Sequence, residues 1–178
     1  MVTQTRRMDS FLISAGRFGE GPLLGLDLGT KTIGVAVSDP ARTLAAPVTT
    51  IKRAKFTQDA NEVLRLAGER RAVGLVVGLP LNMDGSEGPS AQSARAFVRN
   101  LARLDPIPCA LWDERLSTAA AERMLLALDT KRAKRAAIID AHAAAHILQG
   151  ALDRLARARE TAAQTDADGD AGRDGGTR

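Results

Sequence analysis

Residues 23–29, LLGLDLG, are apolar apart from Asp27 and predict a strand. Residues 32–38 alternate, with Ile33, Val35 and Val37 toward one face and Gly34 and Ala36 toward the other, which predicts a second strand. Residues 44–51, LAAPVTTI, read as a third. Pro47 has no amide proton, so it confines that strand to a sheet edge or a bulge. The short links between the three predict an antiparallel meander. The period then changes. Residues 58–71 are helical, with Val63, Leu64 and Ala67 apolar, and 72–80 form a continuous apolar strand of the kind covered on both faces. After the loop LNMDGSEGPS, Pro89 opens a helix that is expected to run through Leu104. Residues 107–114 are a strand, Ser117 caps a helix through Leu128, and 136–157 form a last helix. Meander strands followed by alternating helices and strands predict a mixed sheet of five strands with helices on its faces.

The ends of the chain change in character. Residues 1–21 hold only a brief apolar stretch, FLI, and are expected to be a flexible extension. Residues 159–178 are rich in Asp, Gly and Ala and are expected to be a disordered tail, leaving 22–158 as the domain. The chain has 178 residues and a net charge of +4. From Glu160 onward it carries five acids and two arginines, so residues 1–159 stand at +7. A basic body suits a polyanionic partner. Aromatic residues make up 3% of the chain, with no Tyr, which disfavours modules that stack bases on aromatic platforms. A nucleic acid would be held by its phosphates. Cys109 is the one cysteine, so no disulfide framework or thiolate metal site exists and a reducing cytoplasm fits. No apolar run has the length of a membrane span, so no membrane partner is expected.

Three carboxylates demand an explanation. A charged group is costly in an apolar strand unless it is bonded, paired or holding a cation, and Asp27 sits in one. Asp113 and Glu114 end the fifth strand and must point to opposite faces, so only one of them can join Asp27. At about 100° per residue, Asp140 shares a helix face with Ala144, Ile147 and Ala151, the face that must pack on the sheet. Inward acids from two strands and a helix repel unless a cation joins them, and hard divalent ions take such oxygen ligands. The alternative is that each acid pairs with an arginine such as Arg115 or Arg123. His142 and His146 have the spacing of zinc ligands but lie on the polar face with no third ligand evident. The glycine-rich loop before Pro89 reads either as a mobile link or as a lid whose amides meet phosphate. Lys131, Arg132, Lys134 and Arg135 read either as a solvated link or as a phosphate-tracking patch.

In order along the chain, LGLDLGTKTIGVAVSD, VGLPLNMDGSEGPSAQSARAFVRNL, DERLSTAAAERML and DAHAAAHIL resemble the four signature blocks of the YqgF family. These are bacterial proteins named for pre-16S rRNA processing or Holliday-junction resolution. The resemblance covers residues 23–155. It implies a ribonuclease-H-like α/β fold: a mixed five-stranded sheet, three antiparallel strands then two parallel, with helices on both faces. It implies a metal-dependent nuclease in which Asp27, Glu114 and Asp140 hold two Mg²⁺ or Mn²⁺ ions, and it selects Glu114 over Asp113. Lys31 would lean toward a substrate phosphate. Where the family commonly has a basic residue, this chain has Thr32, so one phosphate contact is missing or comes from elsewhere, for example Arg115.

The substrate implied is nucleic acid, structured RNA rather than branched DNA, with precursor 16S rRNA and ribosomal particles as the setting and a monomer or homodimer as the assembly. A DNA-junction resolvase and a non-catalytic binder of nucleic acid or ribosomes are the alternatives. DLGTK is also similar to the first phosphate loop of actin-like ATPases and sugar kinases. Those proteins need a second half, and one half is what these 178 residues are expected to hold.

Overall fold

The computed structural model describes residues 10–116 and 132–171, with side chains described for 138–165 of the last segment. A short helix, α1, covers residues 10–15. Then come β1 (Leu24–Leu28), β2 (Thr32–Ser38), β3 (Ala45–Lys52), α2 (Phe56–Glu69), β4 (Leu75–Leu79), α3 (Pro89–Leu101) and β5 (Cys109–Asp113). A single 3₁₀ turn, Glu114–Leu116, follows β5, and α4 spans Arg132–Ala171. The helix expected over 117–128 lies outside the described residues.

The sheet order is β3-β2-β1-β4-β5. β1 pairs antiparallel with β2, and β2 with β3. β4 pairs parallel with β1 and with β5, as βαβ crossovers require. The meander and the two parallel strands stand as the sequence predicts. β3 is the edge, and the register slips between Val35 and Ala36, where Pro47 sits opposite Ala36. Proline is therefore both at an edge and beside an irregularity, the two places where a missing amide proton costs least.

The two faces of the sheet differ in side-chain size. One bears Leu24, Leu26, Ile33, Val35, Leu75 and Val77, packed on Val63 and Leu66 of α2 and Phe97 and Leu101 of α3. The other bears Leu23, Ala36, Val76, Ala110 and Trp112, packed on Ile147, Leu148 and Leu152 of α4. Gly25 and Gly34 interrupt this second face. A Cβ on Gly25 would lie 2.7 Å from the Leu148 Cβ and 2.9 Å from the Ala144 carbonyl oxygen. Small residues let α4 lie against the strands themselves, and this close approach builds the site.

Both ends differ from the sequence expectation. The extension expected over 1–21 is structured from residue 10. Phe11 is 3% exposed and meets Trp112 edge to face at a centroid distance of 5.0 Å. An amphipathic turn with one large aromatic can cover the apolar flank of β5, and such a pair is worth about 0.5–1.5 kcal/mol beyond the area it buries. At the other end, α4 continues to Ala171 rather than stopping near 157. Residues 156–165 are dominated by Ala, Arg, Glu, Gln and Thr, and the Ala, Arg, Glu and Gln among them are strong helix formers that extend a helix already anchored by packing.

Candidate active site

Asp27 lies on the central strand, one residue before the end of β1, and is half-buried. Its neighbour across β2 is Gly34. On the other side, Leu26 pairs with Val77, so the position beside Asp27 on β4 is Gly78. The acid is thus flanked on both sides by residues without side chains, and both gaps are filled by other parts of the chain. A Cβ on Gly34 would fall 1.9 Å from the carbonyl oxygen of Asp140. A Cβ on Gly78 would fall 2.4 Å from Glu114 Oε1 and 2.8 Å from Ile147 Cδ1. Directly paired residues share a sheet face, so the backbone of Asp140 and the carboxylate of Glu114 stand on either side of the Asp27 position.

Asp140 has a defined orientation. The hydroxyl of Thr32, the first residue of β2, donates to its Oδ2 at 2.7 Å. Ala144, Ile147 and Ala151 on the same helix face are fully buried, as the helical spacing predicts. Thr32 was anticipated only as a departure from a family pattern. No local sequence signal marks a partner 108 residues away.

Asp113 and Glu114 do point apart. Asp113 pairs in register with Leu79, on the α2/α3 side. It accepts from Arg115 at 2.6 Å (Nη2) and 3.0 Å (Nε). Only Glu114 reaches the α4 side. Arg115 Nη1 also donates to the Met83 carbonyl at 3.4 Å, tying the loop before α3 to the end of β5. The bond to Asp113 holds the Arg115 guanidinium above its ordinary value. Arg115 is therefore engaged by the protein itself.

The loop is closed by its own bonds. Asp84 accepts from the Ser86 amide at 2.8 Å and hydroxyl at 2.6 Å, bonds that hold its carboxyl below the usual range. Glu87 binds Arg95 through both oxygens at 2.9 Å from Nε.

Lys31 is exposed in the β1–β2 turn. Lys131 lies outside the described residues, and so do the side chains of Arg132, Lys134 and Arg135. Among the described residues no three His, Cys, Asp or Glu side chains converge on one point. The Asp140 carboxylate is turned to Thr32. The donors that share this end of the sheet are all carboxylate oxygens, the chemistry hard divalent cations take. No helix among the described residues is long and apolar enough to cross a membrane.

The strand order and the acid on the central strand define the class: a ribonuclease-H-like α/β domain. Residues 21–154 match the model of the RuvX family, described as Holliday junction resolvase, and the chain belongs to that family. Relatives carry the name "Putative pre-16S rRNA nuclease". One from Rhodopseudomonas palustris (strain BisA53) is 72% identical over 76% of this chain and 83% of its own length. Another, from Nitrobacter winogradskyi, is 68% identical over 79% of this chain and 86% of its own. Among solved structures, T. thermophilus RuvC in complex with Holliday junction substrate aligns at a TM-score of 0.49 with 14% identity, covering 76% of this chain and 96% of that one.

Proposed function

We propose that this protein is a metal-dependent nuclease that cuts precursor 16S rRNA at its 5′ end, in the cytoplasm, during ribosome biogenesis. One observation carries the reading. Asp27 is flanked by two glycines, and the vacant volumes beside it are taken by Asp140 and Glu114. The glycines leave room at that end of the sheet for the Glu114 carboxylate and for the helix backbone that carries Asp140.

Asp27, Glu114 and Asp140 would hold Mg²⁺ or Mn²⁺, with two ions as in other phosphodiesterases of this class. Bound there, the metal supplies an activated water and charge stabilisation for the leaving oxygen. The remaining work belongs to the chain. Thr32 keeps the Asp140 carboxylate aimed by its 2.7 Å bond. The backbone contact of Gly34 with Asp140 sets the spacing between helix and sheet. Lys31, exposed in the turn that follows β1, meets substrate phosphate. Lys131, Arg132, Lys134 and Arg135 precede Asp140 in the sequence and would bind further substrate phosphates. The choice of RNA follows the names of the relatives, and the family description favours a four-way DNA junction as the second reading.

The test is cleavage of labelled precursor 16S rRNA and of a four-way DNA junction, side by side, with and without Mn²⁺. The wild type cuts the RNA only with metal, and Asp27→Asn abolishes cutting while its circular dichroism spectrum is unchanged. Cleavage by pure Asp27→Asn at the wild-type rate refutes the mechanism. Cleavage of the junction in preference to the RNA refutes the substrate.

A further inference from the structure

The end of the sheet that carries Asp27 has a second feature, on the α3 side of β1. A cavity of about 240 Å³ is lined there by Gly29, Thr30, Arg53, Ser90 and Ser93 among others. Arg53 is its cation, and it is anchored. Its Nη1 donates to the Gly29 carbonyl at 2.8 Å, and its Nε faces Asp59 Oδ2 at 3.5 Å. Asp59 is 2% exposed and also accepts from the Ala54 amide at 2.9 Å, so it cannot swing away. Arg53 Nη2 bonds nothing among the described residues.

The sequence KRAK, 52–55, which contains Arg53, leaves the β3 edge with Lys52 and Lys55 exposed. Lys52 pairs with Thr32, and the Arg53 amide bonds the Lys31 carbonyl at 2.9 Å, so Lys31 belongs to the same end of the sheet. The cavity thus holds an anchored guanidinium and hydroxyls, and three exposed lysines stand at the same end of the sheet outside it, Lys52 on the α4 face with Thr32. Gly29 is two residues beyond Asp27, about 7 Å at the rise of a strand, within reach of one continuous nucleic-acid backbone.

We propose that this cavity is a phosphate subsite, which takes a phosphodiester of the bound strand next to the one that is cut. Arg53 and the hydroxyls of Thr30, Ser90 and Ser93 donate to its oxygens. Lys31, Lys52 and Lys55 draw in the flanking phosphates. The placement relative to the cut rests on the nuclease reading above; the binding does not.

The test is fluorescence anisotropy of a short labelled single-stranded RNA with the full chain, in EDTA, across a salt series. Removing one lysine from a phosphate lowers the slope of log affinity against log salt by about 0.7 for single strands. Lys52→Ser/Lys55→Ser is expected to lower the slope by about 1.4 and to weaken binding at least about tenfold at low salt. Ser90→Ala/Ser93→Ala is expected to weaken binding several-fold with the slope unchanged, because hydroxyls displace no counterions. Arg99→Ser/Arg103→Ser removes the same charge at the far end of α3 and is expected to bind as the wild type. Wild-type binding by the lysine pair or by the serine pair overturns the proposal. So does an equal loss in the Arg99/Arg103 control, which would mean net charge alone. Because no metal or cleavage enters this assay, an inactive wild type would refute the nuclease reading and leave the subsite standing.

Discussion

Gly34→Ala tests the contact on which the site depends. The added carbon would lie 1.9 Å from the Asp140 carbonyl oxygen and 2.4 Å from its carbonyl carbon, both backbone atoms that no rotamer can move. Reaching even 3.0 Å requires α4 to lift from β2 by roughly 1.1 Å. Overpacking of this kind costs about 1–3 kcal/mol, and a backbone clash belongs at the upper end. Replacing Gly by Ala returns about 0.4–1 kcal/mol through the unfolded chain. The net expectation is a loss of about 2 kcal/mol, or a fall in Tm of about 4–8 °C for a chain of this size.

The same shift carries Asp140 away from Asp27, and a misplacement of about 1 Å in a reacting constellation can cost about 100-fold in rate. Urea and thermal unfolding read the first quantity and a metal-dependent cleavage assay the second. Gly68→Ala is the control: nothing lies within 4 Å of that position in α2, so it should stabilise by about 0.5–1 kcal/mol with activity unchanged. If Gly34→Ala melts and cuts like the wild type, α4 is not seated by this glycine and the account of the site is wrong.

Three further outcomes are expected. Thr32→Val keeps the volume but removes the hydroxyl that orients Asp140, so kcat should fall about tenfold with KM little changed; Thr32→Ser should restore it, and a fall in both variants would assign Thr32 a packing role only. Asp113→Asn weakens the half-buried pair with Arg115 and should cost about 1–2 kcal/mol while cleavage persists, whereas Glu114→Gln should spare stability and lose cleavage; the opposite pattern would exchange the two acids' roles. Burial, reinforced by the Asp105 charge, pushes the Cys109 thiol up to about 11 from its usual 9.0. Because the folded state favours the neutral thiol, its contribution to stability is complete below pH 9.0 and is lost as pH rises toward about 11, and iodoacetamide labelling of the native protein should stay slow until that range. Fast labelling at pH 8 would contradict that burial.

The strand acid Asp27, the alternation of β2, the edge character of Pro47 and the inward face of Asp140 were all legible in the sequence. Each follows from a local period of two or 3.6 residues, which needs no knowledge of the partner element. The opposed directions of Asp113 and Glu114 were legible in the same way. Which of them faces Asp27 was not legible from the residues. It depends on the register of β4 against β1 and β5, which places Gly78 beside the central acid and Glu114 over it.

The tertiary structure also decided how close α4 comes. Gly25, Gly34 and Gly78 lie on three different strands, and only their pairing turns them into one shallow surface on which a helix backbone can rest. Thr32 meets Asp140, Phe11 meets Trp112, and Arg53 meets Gly29 for the same reason: long-range packing chooses the partner. Local pattern supplies the groups and their faces. Sheet register and helix docking, which burial of the two unequal faces imposes, decide which groups stand together.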